Sequence, residues 1–471
     1  MVSNTRVINF NAMNILLISP STLRKPDFPP LGLLSIGTVL IKKGYHVKIL
    51  DATAQSLSDE SIIQIANKYN PNLIGISTLI VNEKQSIQLA RKLKKHFDCP
   101  VIFGGPQSSC FPLEILRKED SLDGIVIKEG EDTIVELCEV LNQRPEWNKV
   151  NGLIYRDENG KIISNQPRAP IENLDSLPIP DRSLVDLNLY HPIPSEYRSL
   201  PATSVVTSRG CPYSCTYCFD AGKLAQKYRR RSPLNVIDEI EHIINKYGIR
   251  EISFRDDEFV LNNKWIYSFC DLILSRKINI TWSCYGRVAN VSPKLLRAMK
   301  KAGCWSIFYG IESGNQELLD IIKKGFSIQQ VRNAVKWTHK AGIETRCSFM
   351  LALPGETPEM GWKTIDFAIE LDVNYAQFFA TNPLPGTPLY DNCQEYGTLN
   401  PNLNNYGISR PFRAPFVPYA YKNEQEILRL VKKGHRKFYF RPNYFLKVMK
   451  KIRGLEDIRK YWNGIKMVLE V

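Results

Sequence analysis

The sequence predicts an α/β protein with two domains and a basic, mainly helical C-terminal region. Two separate runs in which strand and helix patterns alternate predict the two domains, and a proline-rich stretch lies between them. The chain has 471 residues, of which 43% are hydrophobic, so it has enough apolar material for two cores. We expect the first domain at 13–143, a linker at 144–200, the second domain at 201–400 and the C-terminal region at 401–471.

The first run predicts a parallel, doubly wound sheet of the Rossmann-like type. The segment 14–19 has the composition of a buried strand and ends before Pro20, and 31–41 has the apolar spacing of a helix. The alternation continues with strands at 46–50, 73–77, 100–103 and 123–127 and helices at 59–69, 83–96 and 131–142. Ligands of such sheets bind at the carboxyl ends of the strands.

Residues 144–200 differ from the runs on either side of them. They contain short β-like pieces, such as 152–156, and many prolines, namely Pro167, Pro170, Pro178, Pro180, Pro192 and Pro194. Segments of this composition have few core-forming runs. We therefore expect a linker on the surface.

The second run contains six strand–helix units. The strands are expected at 202–208, 251–254, 279–283, 305–311, 344–351 and 375–381, and the helices at 234–247, 262–276, 293–302, 327–341 and 358–371. Six units are too few for a full eight-stranded barrel. Polar residues cluster at the carboxyl ends of these strands.

Three cysteines follow the first strand of the second run. Cys211, Cys215 and Cys218 have the spacing C-x3-C-x2-C. Structural zinc sites usually have four ligands, often as two C-x2-C pairs, and none of the other eight cysteines forms a second pair. Three thiolates can hold a cubane iron–sulfur cluster and leave one iron open to another ligand. A zinc site or chance clustering is the alternative, and the position at a strand end favours the cluster.

This motif resembles that of the radical S-adenosylmethionine (radical SAM) enzymes, in which SAM chelates the fourth iron. The resemblance implies a partial (β/α)6 barrel, a 4Fe–4S cluster and SAM as cofactors. It makes Cys211, Cys215 and Cys218 both the metal ligands and the catalytic centre.

The resemblance also implies SAM contacts at the strand ends. Asp256 and Asp257 stand where the family binds the amine of SAM, and the guanidinium of Arg287 suits a carboxylate. The segment 309–314, Tyr-Gly-Ile-Glu-Ser-Gly, resembles a family segment that lies against SAM. Taken alone, an Asp pair at a strand end is most often a helix cap or a solvated loop. The implied contacts are Phe219, Asp256, Asp257, Ser283, Arg287, Glu312 and Ser313.

The strand ends of the first run resemble a cobalamin-binding domain. The segments PPLGLL, ILDA, GIST, FGGP and KEGED follow in the order found in cobalamin-dependent radical SAM enzymes, and no G-x-G-x-x-G motif supports a dinucleotide site. D-x-H-x-x-G is absent and Gln107 stands where relatives often have histidine, so the cobalt would have no histidine ligand. A domain that serves only as a structural wrapper is the alternative. The implied cobalamin contacts are Ser77, Thr78, Gly104, Gly105, Ser108 and Glu129.

The resemblance implies an enzyme that reductively cleaves SAM to make a 5′-deoxyadenosyl radical. With cobalamin, it would methylate an unactivated carbon of a small-molecule or lipid substrate. One alternative is a cobalamin-dependent radical cyclisation, rearrangement or lipid modification without methyl transfer. An alternative from another class is a non-catalytic cobalamin- or SAM-binding regulatory module.

The net charge is +14, and residues 421–471 hold fourteen Lys and Arg against five Asp and Glu. In this tail, packing of its apolar residues on the barrel is the first interpretation. Docking of a flavodoxin- or ferredoxin-type electron donor is the second, and peripheral membrane contact is the third. We expect no nucleic-acid partner. The scattered cysteines and the lack of a signal pattern predict a cytoplasmic protein, with membrane association left open.

Overall fold

The computed structural model describes residues 13–22, 24–143, 146–400 and 413–449, together with Trp462 and Gly464. The chain divides into two compact units, Met1–Glu172 with Ser176–Tyr190, and Asn173–Asp175 with His191–Val471. Within the described ranges, no helix combines the length and apolarity needed to cross a membrane. All eleven cysteines lie in these ranges, and none of them forms a disulfide.

The first unit is built on one seven-stranded sheet with helices on its faces. Its strands are β1 (Asn14–Ser19), β2 (His46–Asp51), β3 (Leu73–Ser77), β4 (Val101–Gly104), β5 (Gly124–Val126), β6 (Leu153–Arg156) and β7 (Ile162–Ser164). Its helices are α1 (Leu31–Lys42), α2 (Asp59–Tyr69), α3 (Glu83–His96), α4 (Pro106–Cys110), α5 (Pro112–Lys118) and α6 (Glu131–Gln143). The strand order is β2-β1-β3-β4-β5-β6-β7, and the first five strands are parallel.

The sheet of the first unit is buried on both faces, which confirms the doubly wound prediction. In β1, Ile15 and Leu17 pack into one hydrophobic core, and Leu16 and Ile18 pack into another. A strand with two buried faces needs an apolar residue at every position, which explains the continuous apolar run. The strand order reverses between β1 and β3, and in doubly wound sheets the ligand crevice lies at such a reversal.

The segment 144–200 is not the surface linker that we expected. Its strands β6 and β7 extend the sheet in antiparallel pairing, with Ile125 opposite Ile154. Val150 and Leu153 are fully buried. Tyr190 donates a hydrogen bond to Asp51 at 3.3 Å, and the segment belongs to the first unit as far as this tyrosine, apart from Asn173–Asp175. The sequence predicts a β-like piece at 152–156, but strands of three or four residues are too short for a pattern to predict how they pair.

The second unit contains six parallel strands in the order β15-β14-β13-β12-β11-β8, together with two short antiparallel ribbons. The strands are β8 (Ala202–Val205), β9 (Ser208–Arg209), β10 (Arg229–Arg230), β11 (Glu251–Phe254), β12 (Thr281–Gly286), β13 (Cys304–Glu312), β14 (Glu344–Leu351), β15 (Tyr375–Ala380), β16 (Gly397–Leu399) and β17 (Phe416–Pro418). The helices are α7 (Pro233–Tyr247), α8 (Asn263–Ser275), α9 (Pro293–Lys301), α10 (Gln316–Ile321), α11 (Ile328–Lys340), α12 (Pro358–Glu370), α13 (Pro388–Asn392), α14 (Glu424–Tyr439) and α15 (Pro442–Met449). This confirms the partial (β/α)6 barrel.

The two faces of the barrel strands differ in burial. In β13, Ile307, Tyr309 and Ile311 are fully buried, whereas Phe308 and Gly310 between them are partly exposed. Since side chains alternate between the faces of a strand, the first set packs under the helices and the second faces the barrel interior. Solvent therefore reaches the interior.

The C-terminal helix α14 packs on the barrel. Its residues Ile427, Val431 and Phe438 are buried, and its basic residues Lys433 and Arg436 are exposed. For this helix, the structure agrees with the interpretation that the apolar residues of the tail pack on the barrel. In α15, in contrast, large apolar side chains are exposed, namely Phe445, Leu446 and Met449. The predicted continuation at 450–453 lies outside the described residues.

Two glycines with positive φ provide a test of the barrel geometry. A Cβ on Gly303 (φ +98°) would lie 2.3 Å from the carbonyl oxygen of Ile280, whereas a Cβ on Gly248 (φ +68°) would meet no atom within 4 Å. We expect Gly248→Ala to lower the free energy of unfolding by about 1 kcal/mol, from backbone strain alone. Gly303→Ala should cost at least ~3 kcal/mol, because overlap adds to the strain. Thermal denaturation of the two variants checks this, and equal melting temperatures would contradict it.

Candidate functional site

The cysteine loop, residues 210–218, follows β8 and is held at its base by the ribbon of β9 and β10. In this ribbon Arg209 pairs with Arg229. Gly210 has a φ of +81°, and a Cβ there would lie 2.8 Å and 2.9 Å from the carbonyl oxygens of Gln226 and Lys227. Only glycine fits this close approach. The Gly before the first cysteine is therefore required by the turn that starts the loop.

The three thiols of the loop form a donor set that fits an iron–sulfur cluster. Cys215 is buried, and Cys211 and Cys218 are half-buried. Burial raises the pKa of Cys211 to about 11 and that of Cys218 to about 12, so a bound metal must displace their protons. Among the described residues, no three His, Cys, Asp or Glu side chains converge on one ion. A cubane cluster needs no such convergence, because each thiolate binds a different iron.

The guanidinium of Arg287 lies against the cysteine loop. Its Nη1 is 3.7 Å from the Sγ of Cys215, and its central carbon, Cζ, lies 3.8 Å from the ring centre of Tyr213. The backbone N–H of Arg287 donates to Glu258 at 3.2 Å. The sequence predicts Arg287 as a partner of the SAM carboxylate, and the contact with Cys215 is an additional one.

A buried network links the cysteine loop to β13 and β14. Lys324 donates to Glu312 at 3.0 Å, and the Tyr217 hydroxyl donates to the same carboxylate at 3.1 Å. Ser348 donates to its other oxygen at 3.2 Å. Burial and the neighbouring Glu312 raise the pKa of Tyr217, so the phenol stays protonated. A Cβ on Gly310 would lie 2.5 Å from the Glu312 carboxylate, because that side chain folds back over the strand.

Sequence reasoning identified Glu312 but missed its partners. Tyr217 lies within the cysteine motif, between Cys215 and Cys218, so a signal for it was present. Lys324 lies in the connection between α10 and α11, in a segment with no distinguishing pattern. Ser348 is an ordinary small residue of a strand. Their roles depend on tertiary contacts that no local spacing reveals.

The two aspartates after β11 have different environments. One oxygen of Asp256 accepts hydrogen bonds from the backbone N–H of Thr207 at 2.9 Å and from its hydroxyl at 2.7 Å. The other oxygen, Oδ2, is buried and has no partner within the described part of the chain. Desolvation, with the neighbouring carboxylate of Asp220, raises the pKa of Asp257 to about 7. A cation such as the ammonium group of SAM would relieve the repulsion between these carboxylates.

The remaining residues predicted to bind SAM are placed as follows. The Ser313 hydroxyl lies 3.3 Å from that of Thr364 and accepts from the N–H of Asn315 at 3.1 Å, so it stabilises its own loop. Ser283 is fully buried on β12, and its hydroxyl has no partner among the described residues. Phe219 begins a short helical turn directly after Cys218.

In the first unit, two loops at the carboxyl edge of the sheet are bound to each other. The Thr78 hydroxyl donates to the carbonyl of Gly104 at 3.0 Å and accepts from the N–H of Ser108 at 3.1 Å. Gly105 has a φ of +100°, and a Cβ there would lie 2.7 Å from the Thr78 carbonyl oxygen. A Cβ on Gly104 would meet no atom closer than 3.9 Å. The edge is therefore an open backbone floor, which fits an extended ligand.

Three other polar residues lie near this edge, and two of them, Glu129 and Gln107, already make hydrogen bonds. Ser77 ends β3. Glu129 accepts a hydrogen bond from the backbone N–H of Ile171 at 2.7 Å. Gln107 donates to Glu83 at 3.0 Å, but its carbonyl oxygen is buried without a partner in the described ranges. The features that best fit cobalamin are therefore the backbone at Gly104 and the unpaired carbonyl oxygen of Gln107. The hydroxyls of Thr78 and Ser108 already have hydrogen-bond partners.

Comparison with known proteins agrees with both units. The family model of the Radical SAM superfamily matches residues 205–368, and that of the B12 binding domain matches residues 22–138. A protein of Pyrococcus horikoshii named an uncharacterized methyltransferase is 33% identical, over 96% of this chain and 99% of its own. The cytidylyl-2-hydroxyethylphosphonate methyltransferase of Streptomyces wedmorensis is 28% identical, over 90% of this chain and 89% of its own.

A solved structure shares the fold. It is the cobalamin-dependent S-adenosylmethionine radical enzyme OxsB with aqua-cobalamin and S-adenosylmethionine bound. It superposes with a TM-score of 0.75 at 19% identity, over 97% of this chain and 71% of its own. The similarity along the whole chain implies a 4Fe–4S cluster, SAM and cobalamin as the cofactors. The chain thus belongs to the radical SAM superfamily, as a member with an N-terminal B12 binding domain.

Proposed function

We propose that this protein methylates an unactivated carbon of a small-molecule substrate, with SAM and cobalamin as cofactors. The observation that carries the proposal is the joining, in one chain, of a three-thiol loop on a partial barrel with a doubly wound sheet that has an open glycine edge. The two near full-length relatives described above are both named methyltransferases. When bound, the cluster and SAM supply a 5′-deoxyadenosyl radical, and cobalamin supplies the methyl group.

The residues of the second unit bind and orient. Cys211, Cys215 and Cys218 would hold the cluster, and the guanidinium of Arg287 would lie beside it through its contact with Cys215. Asp257 would receive the ammonium group of SAM. The proposal also includes SAM contacts by Phe219, Asp256, Ser283, Glu312 and Ser313.

The residues of the first unit would line the cobalamin site. Gly104 and Gly105 provide the floor, and Ser77, Thr78 and Ser108 surround it. Glu129 would act through the segment that it fixes at Ile171. Since no histidine lies in a D-x-H-x-x-G context, we propose that the cobalt has no histidine ligand.

The competing reaction is a cobalamin-dependent cyclisation or another modification without methyl transfer. The names of the near full-length relatives favour methyl transfer. A regulatory module without catalysis would not need the buried network that holds the cysteine loop in place.

Analysis of the products from SAM tests the proposed reaction. Anaerobically reconstituted protein should hold about four irons per chain. Under reduction with substrate, it should release methionine and 5′-deoxyadenosine, together with about one equivalent of S-adenosylhomocysteine, since one SAM is cleaved and another donates the methyl group.

The variant Cys211→Ala/Cys215→Ala/Cys218→Ala should lose the iron and both sets of products, and Cys99→Ser in the first unit should retain them. A modified substrate without S-adenosylhomocysteine would identify the competing reaction. Near eight irons per chain would contradict the single cluster.

Cobalamin binding can be tested at Gly104. Because a Cβ there would meet no atom closer than 3.9 Å, Gly104→Leu should fold normally and fill the floor on which the ligand would lie. We expect at least a ~10-fold loss of hydroxocobalamin retention on a desalting column. Gln88→Leu, on the exposed face of α3, is the matched control. If the unaltered protein comes off the column colourless, the first unit does not bind cobalamin.

The C-terminal helices α14 and α15 support two proposals about partners, an electron donor and a membrane surface. The exposed basic residues Lys433 and Arg436 of α14 support docking of an acidic flavodoxin- or ferredoxin-type electron donor. A peripheral membrane contact would use the exposed apolar residues of α15, Phe445 and Leu446 among them.

The donor proposal predicts a charge-dependent rate. Lys433→Glu/Arg436→Glu should slow SAM cleavage driven by flavodoxin by about tenfold, because association depends on opposite charge. The rate with dithionite should stay unchanged, which controls for folding. An equal fall with both reductants, or no fall with flavodoxin, would contradict the proposal.

A further inference from the structure

The interior of the barrel contains charged residues that neither the cluster nor SAM requires. Arg255, directly after β11, forms an ion pair with Glu196 and donates a hydrogen bond to the hydroxyl of Tyr285. Arg346 on β14 lies 3.6 Å from the same glutamate. We call Glu196, Arg255, Tyr285 and Arg346 the interior arginine cluster. Two guanidinium groups here share one carboxylate.

Arg346 has unused hydrogen-bonding capacity. Its side chain is only 3% exposed, yet its Nε and Nη2 have no partner among the described residues. These two N–H groups lie on one edge of the guanidinium plane, the edge that binds a carboxylate or phosphoryl group through two parallel hydrogen bonds. A buried donor of a charged group without a partner destabilises the fold. In this fold the unpaired donors of Arg346 therefore lie together on one edge of its guanidinium group.

A row of unpaired hydroxyls lies beside the interior arginine cluster. Ser253 on β11 and Ser306 on β13 are aligned with Ser283 on the strand between them, which the proposed function assigns to SAM. All three are buried, and none of their hydroxyls has a partner within the described ranges. Buried polar groups in proteins are normally paired. Several unpaired donors on one wall indicate a site for a polar ligand.

The site is reached by solvent and has an aromatic wall. The inward-facing side chains of Arg255, Tyr285 and Phe308 are partly exposed, although their neighbours along the strands are buried. The rings of Tyr285 and Phe308 lie with their centres 5.0 Å apart. The Arg255 guanidinium is 5.4 Å from the Tyr285 ring centre, and that of Arg346 is 5.6 Å from the Phe308 ring centre.

We propose that the interior arginine cluster binds an oxyanion of the substrate, a phosphoryl, phosphonyl or carboxylate group, with the free edge of Arg346 as the main contact. This inference rests on the proposed function, since it concerns the substrate of that reaction. Arg346 precedes Ser348 by two residues, about 6.6 Å along the strand. Ser348 contacts Glu312 of the network that holds the cysteine loop. The anion therefore lies deeper in the barrel, and the rest of the substrate extends toward that loop.

Anion binding to the full-length, cluster-loaded protein tests the proposal without turnover. Inorganic phosphate, methylphosphonate and acetate are each titrated by anaerobic calorimetry at constant ionic strength. We expect at least one of them to bind with one site per chain. Binding of phosphate and methylphosphonate indicates a phosphoryl or phosphonyl group, and binding of acetate alone indicates a carboxylate.

Two variants should change the affinity in opposite directions. Arg346→Gln removes the free edge and should weaken binding by about tenfold or more. Glu196→Gln removes the carboxylate that competes with the anion and should strengthen it. Arg297→Gln, on the exposed face of α9, is the matched control and should leave the affinity unchanged.

The proposal is overturned if no anion binds, if Arg346→Gln binds as tightly as the unaltered protein, or if Glu196→Gln binds more weakly. Should Arg346→Gln fail to fold, Glu196→Gln decides the question alone. Formation of 5′-deoxyadenosine by the unaltered protein under dithionite is measured separately. It reports on the proposed radical chemistry and is independent of the anion titration.

Discussion

The buried ion pair between Glu312 and Lys324 is the interaction on which the position of the cysteine loop depends. Both side chains are only 8% exposed, and the Tyr217 hydroxyl completes the pair from within the cysteine motif. Loss of one partner from a buried pair typically costs about 3–5 kcal/mol, because the other charge is left uncompensated. The loop therefore cannot move without disturbing charges inside the barrel. Three thiols held in this way are already arranged for a ligand before it binds.

The same glutamate explains the spacing of the segment 309–314. Glu312 has a φ of +71°, a conformation that costs a residue with a side chain about 1–3 kcal/mol. Three hydrogen bonds to its carboxylate offset that cost. Because the side chain folds back over the strand, a Cβ two residues earlier would push the carboxylate away from its partners. Gly310 and Glu312 thus form one structural unit.

Most of the fold could be predicted because the apolar pattern reports burial directly. The strands at 14–19, 73–77, 251–254 and 344–351 have the predicted bounds. The first two are apolar along their buried length, and the last two bury apolar residues such as Phe254 and Phe349 on one face. The strand β6 was predicted as a β-like piece at 152–156, but its pairing in a hairpin with β7 was not, because both strands are short and prolines follow them.

The candidate site was less predictable than the fold. The cysteines form a local motif and could be found from their spacing. Arg346 and Glu196 lie far apart in the sequence, and Lys324 has no pattern around it, so only the folded chain brings them to their partners. Asp256 was predicted as a ligand, but one of its oxygens is already bound by Thr207.

The hairpin of β6 and β7 also bears on association between copies of the first unit. A parallel sheet that ended at β5 would expose the hydrogen-bonding groups of an apolar strand, a template for pairing with another chain. Here the last strand, β7, has only three residues, and polar residues flank it. At the opposite edge, β2 carries the exposed residues His46 and Lys48. Both margins of the sheet are therefore poor starting points for aggregation.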